Sequence, residues 1–235
     1  GAEVIKIESE LTGGDVTRSW GSPSEQTDDR SAYFCSVNWG KKSVSIDLTH
    51  KEGKKNLYSL AATTDIVIAS FKPGDASKLG VDYETLAQIN NRIIYGEITG
   101  YGPHDSRVGS DAVIQAEAGF MSINGEKDAP PLKMPVALVD VLAAHQLKEG
   151  LLVALLERER SSKGSKVEVS LMDTAIASLA NQASNWLVGG FVPSRQGSLH
   201  PNIAPYGEMF TTKDKRTLLL AVGTDKQFVE LLLGL

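Results

Sequence analysis

The chain has 235 residues, of which 41% are hydrophobic and 23% are charged, a composition typical of a globular protein with a sizeable core. Its formal net charge of −5 excludes a general basic field for binding a nucleic-acid backbone or an anionic membrane. The single Cys35 excludes an internal disulfide and a CxxC redox or zinc motif, which favours a reducing compartment, the cytoplasm by default. No apolar stretch of about 18 residues and no signal-peptide pattern is present, so we expect no membrane association.

The first hundred residues alternate short β-branched runs with helical patterns, which is typical of βαβ units and a parallel sheet. Strands are predicted at residues 4–7, 44–47, 66–68 and 93–98. Helices are predicted at residues 51–62 and 83–89, where apolar side chains fall at helical spacing. The fold class is therefore predicted to be α/β, with a Rossmann-like parallel sheet and flanking helices.

Helices dominate after residue 111. A short helix is predicted at residues 111–119 and a loop at 124–135, followed by a long helix at about 140–160 with Leu147, Leu151 and Leu155 on one face. The remaining predictions are a strand, a long helix through Trp186, a Gly/Pro loop and a last strand, at residues 167–171, 172–186, 195–206 and 217–222. The chain closes on an apolar helical run at residues 228–233, and both of its ends look truncated.

Two patterns that often carry chemistry favour structural roles here. Gly100 and Gly102 follow a strand, but the third glycine of a dinucleotide-binding motif is replaced by Asp105, so a tight turn is favoured over a phosphate cradle. The histidines have no metal-ligand spacing; they are His50, His104, His145 and His200. No metal site is predicted, and His200 is favoured as a polar turn residue.

Asp140 allows two interpretations. At the start of a helix, an aspartate accepts backbone N–H groups and complements the helix dipole, so a capping role is the simplest. The same placement would keep the carboxylate ionised and ready to act as a nucleophile, and the apolar residues 136–139 before it would limit its hydration. The local sequence leaves both roles open.

A series of ordered motifs along nearly the whole chain resembles the class III CoA-transferases, the CaiB/BaiF family. That family includes enzymes similar to formyl-CoA transferase, carnitine CoA-transferase and succinyl-CoA:glutarate CoA-transferase. The motifs lie at residues 1–8, 14–18, 38–44, 71–74, 79–81, 98–103, 109–112 with Gln115, and 200–206. Each motif alone is weak, whereas the ordered set is specific.

The resemblance implies that Asp140 is the catalytic nucleophile of a CoA-transferase. Its carboxylate would attack an acyl-CoA thioester to form an anhydride, and the CoA thiolate would then give an aspartyl-CoA thioester. A second carboxylic acid would take the CoA. CoA and acyl-CoA are thus implied as substrates, with no prosthetic group, and an interlocked homodimer is implied as the assembly.

The resemblance also implies contacts with CoA. The residues carried over are Phe71, Lys78, Arg107, Ser110, Asp111, Leu171 and Gly197, the last in a loop that resembles the one closing over the intermediate. Two positions depart from the family pattern: Ser9 replaces an arginine and Ser70 replaces an asparagine. Lys41, Lys42 or Lys72 could supply the missing cation.

Two alternatives remain open. A related α-methylacyl-CoA racemase would need a histidine before Asp111, and Ser110 cannot serve as that general base without an activating partner, so a transferase is favoured. A non-catalytic fragment or scaffold of the same fold is the second alternative, because family members are much longer.

The predicted domains follow from the same resemblance. Residues 1–190 would form the large CoA-binding domain, incomplete at its N-terminus. Residues 191–235 would form a linker and the start of a smaller second domain, incomplete at its C-terminus.

Overall fold

The computed structural model describes residues 1–25 and 30–234 of the chain. The described strands, numbered β1 to β7, are Ile5–Ser9, Lys42–Ile46, Ile66–Ala69, Ile94–Thr99, Lys166–Ser170, Tyr206–Thr211 and Thr217–Ala221. The described α-helices, numbered α1 to α10, are Ala32–Asn38, Lys51–Ala61, Asp75–Leu79, Tyr83–Ile89, Asp111–Glu117, Phe120–Ile123, Leu138–Ser161, Leu171–Ser178, Asn181–Leu187 and Asp225–Gly234. Two short 3₁₀ helices, Glu10–Thr12 and Val16–Ser19, follow β1.

The described strands form three sheets. β1 and β2 pair in parallel, with Ile5 opposite Lys42 and Ser9 opposite Ile46. A second sheet has the order β3-β4-β5, and β6 pairs with β7 as an antiparallel hairpin. Parallel strands need a crossover connection, and α1 lies within the one that joins β1 to β2. The predicted α/β class, with parallel strands and flanking helices, is confirmed.

Most predicted elements are present with boundaries shifted by a few residues, and three larger differences concern α7, the α8–α9 region and β6. The long helix α7 begins at Leu138, two residues before Asp140. The single helix predicted to run through Trp186 is divided into α8 and α9, because Ala180 adopts φ 49° and ψ −117°, which a helix cannot contain. β6 begins at Tyr206, where the sequence predicted only the end of a loop.

The chain divides into two compact units. The first contains residues 1–67, 74–95 and 157–165, and the second contains residues 68–73, 96–156 and 166–235. The sequence-based boundary between residues 190 and 191 separates a predicted large CoA-binding domain from a smaller second domain. That boundary does not correspond to the two compact units and stays a prediction.

In the first unit, a buried glutamate ties β1 to its surroundings. The Glu8 side chain is 4% exposed and accepts two hydrogen bonds from the Arg18 guanidinium, at 2.9 Å from Nε and 2.8 Å from Nη2. The Ser43 hydroxyl on β2 and the Asp15 backbone N–H also donate to its carboxylate, at 2.5 Å and 2.8 Å. Each of these donors favours the ionised form of the carboxyl group. Together they lower the pKa of Glu8 to about 2, and the hydrogen bond from Arg18 makes the largest contribution.

Replacing Glu8 by glutamine should weaken the fold in a pH-dependent way. A carboxylate whose pKa is lowered by folding stabilises the protein above its unfolded pKa, and this stabilisation is lost as pH falls from about 5 to about 2. We expect Glu8→Gln to reduce the free energy of unfolding by roughly 2–3 kcal/mol at pH 7, with a difference that shrinks toward pH 2. Urea denaturation across this pH range measures it.

Glu52→Gln is the matched control. The Glu52 side chain is 77% exposed on α2 and lies 3.6 Å from the Lys55 ammonium, so its removal should change stability little at any pH. A difference between Glu8→Gln and the original protein that stays constant with pH would contradict the predicted titration.

In the second unit, α7 lies very close to β4 and β5. A Cβ atom on Gly96 would come within 3.0 Å of Leu147, and one on Gly150 within 2.6 Å of the Val167 side chain. Glycine at these two positions therefore permits the close approach. An apolar cluster completes the packing of α5, α7 and α8; its buried members are Ile114, Ala118, Val139, Ala143, Leu171 and Ala175. The first turn of α7 is consequently anchored in the core of this unit.

Candidate active site

Asp140 lies in the first turn of α7 and is exposed to solvent. The sequence left open whether Asp140 caps this helix, and α7 already begins two residues earlier, at Leu138. The preceding residue, Val139, is fully buried in the apolar cluster. The backbone is therefore fixed on one side of Asp140, while the carboxylate itself is presented at the surface of the second unit.

A carboxylate on another helix accepts a hydrogen bond from a backbone N–H group at the start of α7. The backbone N–H of Val139 donates to Oδ1 of Asp111 at 2.9 Å. Asp111 is the first residue of α5 and is 9% exposed. Capping by an aspartate is thus present, as expected for a helix start, but a residue 28 positions earlier in the chain supplies it.

Gln115, one turn further along α5, completes this arrangement. Its side-chain amide is fully buried and donates to Oδ2 of Asp111 at 2.7 Å. Its Oε1 accepts from the Met134 backbone N–H at 2.9 Å, and its Nε2 lies 3.4 Å from the carbonyl oxygen of Val136. Two side chains of α5 therefore hold three backbone groups of the segment 134–139, which leads to Asp140.

The surroundings of Asp140 oppose its ionisation. Partial removal from water by the neighbouring protein raises the pKa of the Asp140 carboxyl, and the negative charge of Asp111 raises this pKa further. The sequence predicted that a helix start would keep this carboxylate readily ionised. The pKa shifts in the opposite direction, because partial removal from water and, after it, the charge of Asp111 outweigh the helix dipole.

Replacing Asp140 by asparagine should stabilise the fold slightly. A carboxyl group whose pKa is raised by folding destabilises the folded protein when it is ionised. This loss of stability is fully present above the pKa of the folded state and absent below the pKa of the unfolded state. We expect Asp140→Asn to gain up to about 0.5 kcal/mol at pH 7, since solvent screens an exposed group, and nothing at pH 3. Thermal unfolding at the two pH values measures the difference.

Asp225→Asn provides a control of opposite sign. Asp225 lies in the first turn of α10, where an aspartate interacts favourably with the helix dipole. Its replacement should therefore reduce stability slightly at pH 7. Equal losses in the two variants would show that Asp140 is an ordinary helix-start aspartate.

Close backbone contact fixes the loop before α5. A Cβ atom on Gly100 would lie 2.8 Å from Cα of Gly109, so the two backbones touch at the base of the loop. The backbone N–H of Gly102, which has φ 96°, donates to Oγ1 of Thr99 at 2.9 Å. These contacts give both glycines of the Gly-Tyr-Gly motif turn and packing roles, in agreement with the tight turn that the sequence favours.

Arg107, predicted to contact CoA, is held within this loop. Its guanidinium lies 3.8 Å from the centre of the Tyr101 ring and 2.9 Å from the Asp105 carboxylate, and Glu117 is 3.4 Å away. Hydrogen bonding to Asp105 raises the pKa of Arg107. A phosphate at this position would have to compete with two carboxylates.

The other predicted CoA contacts occupy varied positions. Phe71 is half-buried after β3, and Ser110 is the exposed N-cap residue of α5. Leu171 is 7% exposed and belongs to the apolar cluster, so its side chain supports the start of α8. Lys78 belongs to the first unit, where its exposed ammonium lies 2.8 Å from Asp75 in the same helix, α3. Their contacts with CoA stay predictions.

Gly197 lies in a loop that packs against another loop of the second unit. Its φ is 61°, and its N–H donates to the carbonyl oxygen of Gly125 at 2.9 Å. A Cβ atom at Gly197 would come within 2.7 Å of the Glu126 carboxylate. The two loops and β6 line a cavity of about 550 Å³ that includes Arg195 and Glu208 but not Asp140. Whether this loop closes over an intermediate stays a prediction.

Residues 1–25 and 30–234 contain no cluster of three or more His, Cys, Asp or Glu side chains suited to a metal ion. Within the same residues, no helix combines the length and the apolar character needed to cross a membrane.

Comparisons with known proteins identify the family. The family model described as CoA-transferase family III matches residues 1–234. The succinate–glutarate CoA-transferase of Agrobacterium fabrum is 41% identical over 97% of the chain, and the mouse succinyl-CoA:glutarate CoA-transferase is 38% identical over 97%. The crystal structure of a CaiB/BaiF family protein from Brucella suis has a TM-score of 0.86, with 41% identity over the whole chain. The chain therefore belongs to CoA-transferase family III, which confirms the resemblance seen in its ordered motifs.

The chain is shorter than these relatives. It spans 58% of the Agrobacterium protein, 52% of the mouse protein and 63% of the Brucella chain. The likeness thus covers the whole of this chain but only part of each related protein.

Proposed function

We propose that the protein transfers CoA from an acyl-CoA to a carboxylic acid, with Asp140 as the nucleophile. The observation that carries this proposal is the placement of Asp140 in a chain of this family: an exposed carboxylate directly follows a buried, hydrogen-bonded backbone segment. A nucleophile must reach the substrate while its own backbone stays fixed, and this placement meets both needs.

The proposed reaction has four exchanges. An oxygen of Asp140 attacks the thioester carbon, the C–S bond breaks, and CoA leaves as a thiolate from an acyl-aspartyl anhydride. The thiolate then attacks the aspartyl carbonyl carbon and releases the donor carboxylate. The acceptor carboxylate attacks the resulting aspartyl thioester and expels the thiolate again. The thiolate finally attacks the acceptor's acyl carbon, which forms the new acyl-CoA and regenerates Asp140.

The raised pKa of Asp140 supports a nucleophilic role. A more basic carboxylate is a stronger nucleophile, provided that it is still ionised at the working pH. The first turn of α7 also carries backbone N–H groups whose partial positive charge favours an anion, which opposes the effects of burial and Asp111.

Small dicarboxylic acids are the substrate class that we propose. The Agrobacterium and mouse relatives carry succinate and glutarate in their names, and each is at least 38% identical to this chain over 97% of its length. The proposed assembly is a homodimer, as the family resemblance implies.

Hydroxylamine should trap the acylated enzyme. Incubating the native protein with succinyl-CoA and hydroxylamine should convert Asp140 into a hydroxamate, because hydroxylamine attacks both the anhydride and the aspartyl thioester. Peptide mass spectrometry locates the modification. Asp140→Ala should abolish trapping and CoA exchange, whereas Asp225→Asn, which changes an aspartate at the start of another helix, should leave both intact. Undiminished CoA exchange in Asp140→Ala would refute the proposed nucleophile.

A parallel assay separates the transferase from the racemase. The native protein should exchange CoA between succinyl-CoA and glutarate, and it should not wash solvent deuterium into the α-position of a 2-methylacyl-CoA. Ser110 is the exposed N-cap residue of α5, and a serine hydroxyl is a poor general base for removing an α-proton. Deuterium incorporation without CoA exchange would favour the racemase, and the absence of both would favour a non-catalytic protein.

A further inference from the structure

The buried pair Asp111 and Gln115 holds the segment that leads to Asp140, and neither residue exchanges a bond in the reaction proposed above. We propose that these two residues are positioning residues, which hold the backbone of residues 134–139 so that the Asp140 carboxylate is fixed for attack. This inference rests on the proposed function of Asp140. It assigns Asp111 a role different from the CoA contact that the family resemblance implies.

The hydrogen bonds between the two helices form a single chain. The Val139 N–H donates to Oδ1 of Asp111 at 2.9 Å, and Gln115 Nε2 donates to Oδ2 at 2.7 Å. The Met134 N–H then donates to Oε1 of Gln115 at 2.9 Å. Both oxygens of the carboxylate and both ends of the amide are therefore engaged, and the chain ends one residue before Asp140.

The burial of the pair makes this chain costly to disturb. Asp111 is 9% exposed and Gln115 is fully buried, so a lost partner could not readily be replaced by bulk water. A buried carboxylate is expensive in an apolar core, yet this one satisfies a helix start and a neighbouring amide. Its position suits holding the backbone better than contacting a ligand.

The donors and acceptors of the chain fix which side chain can stand at each position. The two ends of the chain are backbone N–H groups, so along the chain the two side chains must supply three acceptors and one donor. The Nε2 group of Gln115 also lies 3.4 Å from the Val136 carbonyl oxygen, outside this chain. Asparagine at position 111 would present an amide N–H to the amide N–H of Gln115. If Gln115 turned over to accept that bond, its own N–H group would face the N–H of Met134.

A reciprocal exchange restores the three hydrogen bonds of this chain and loses only the 3.4 Å contact between Gln115 Nε2 and the Val136 carbonyl oxygen. In the double variant Asp111→Asn with Gln115→Glu, the asparagine oxygen accepts from Val139 and its N–H group donates to the glutamate. The glutamate's second oxygen accepts from Met134. The shape and the net charge of the pair are preserved, while the negative charge moves from position 111 to position 115. The double variant therefore separates the holding of the backbone from a charge at position 111.

The test compares Asp111→Asn, Gln115→Glu and the double variant by hydroxamate trapping at Asp140 and by steady-state CoA exchange. We expect each single variant to lower kcat about 10- to 100-fold with KM for acyl-CoA within about twofold, because a misplaced nucleophile weakens only the reactive geometry. The double variant should recover most of the lost kcat. Because its charge lies elsewhere, the acidic limb of its pH profile should move.

The outcomes distinguish this proposal from the proposed function. Failure of the original protein to trap Asp140 would remove the nucleophile itself and with it the positioning role. Normal trapping by the original protein, with single variants that react at the original rate, would refute only the positioning role. A rise in KM at unchanged kcat would assign Asp111 to CoA binding instead.

Folding is controlled within the same set of variants. Thermal unfolding of each variant shows whether a low rate reflects loss of the folded state. If a single variant is unfolded, the double variant still tests whether Asp111 and Gln115 act by holding the backbone before Asp140. A folded double variant that stays as slow as a variant lacking Asp140 would overturn the proposal, because the three hydrogen bonds of the chain would then be present without restoring the rate.

Discussion

The geometry of the candidate active site depends on hydrogen-bond partners for the first backbone N–H groups of α7. The first N–H groups of α7 have no partner within the helix, and Val139 is buried where water cannot serve. Asp111 meets this need from α5, and Gln115 extends the support to the residues before the helix. Because the backbone is satisfied from elsewhere, the carboxylate of Asp140 is released from the capping role that its position would otherwise impose.

Close packing makes this cross-helix support possible. The missing side chains of Gly96 and Gly150 allow α7 to lie against β4 and β5, and the apolar cluster joins α7 to α5 and α8. Protein interiors are packed as densely as crystals of small molecules, so packed helices cannot easily shift. A hydrogen bond between two such helices therefore keeps a defined length. The chemistry proposed for Asp140 therefore depends on the packing of residues that take no part in the proposed exchanges.

The sequence predicts the local parts of this structure well. Period-2 and period-3.6 patterns located β1 to β5 and the long α7, because each reflects burial of one face. The break at Ala180 escaped prediction, since neither glycine nor proline marks it. The origin of the α7 cap also escaped prediction, because Asp111 and Val139 are 28 residues apart and meet only through the fold. The spacing of Asp111 and Gln115, four residues apart on one helix, was the visible signal for the pair.

The contact between Gly100 and Gly109 separates the base of their loop from its tip. Because the two backbones touch, the base of the loop that carries Tyr101 and Arg107 is closed independently of what lies at its tip. A change of sequence or length at the tip is therefore expected to leave α5 in place. The surface of such a loop can differ while the helix that carries Asp111 and Gln115 keeps its position.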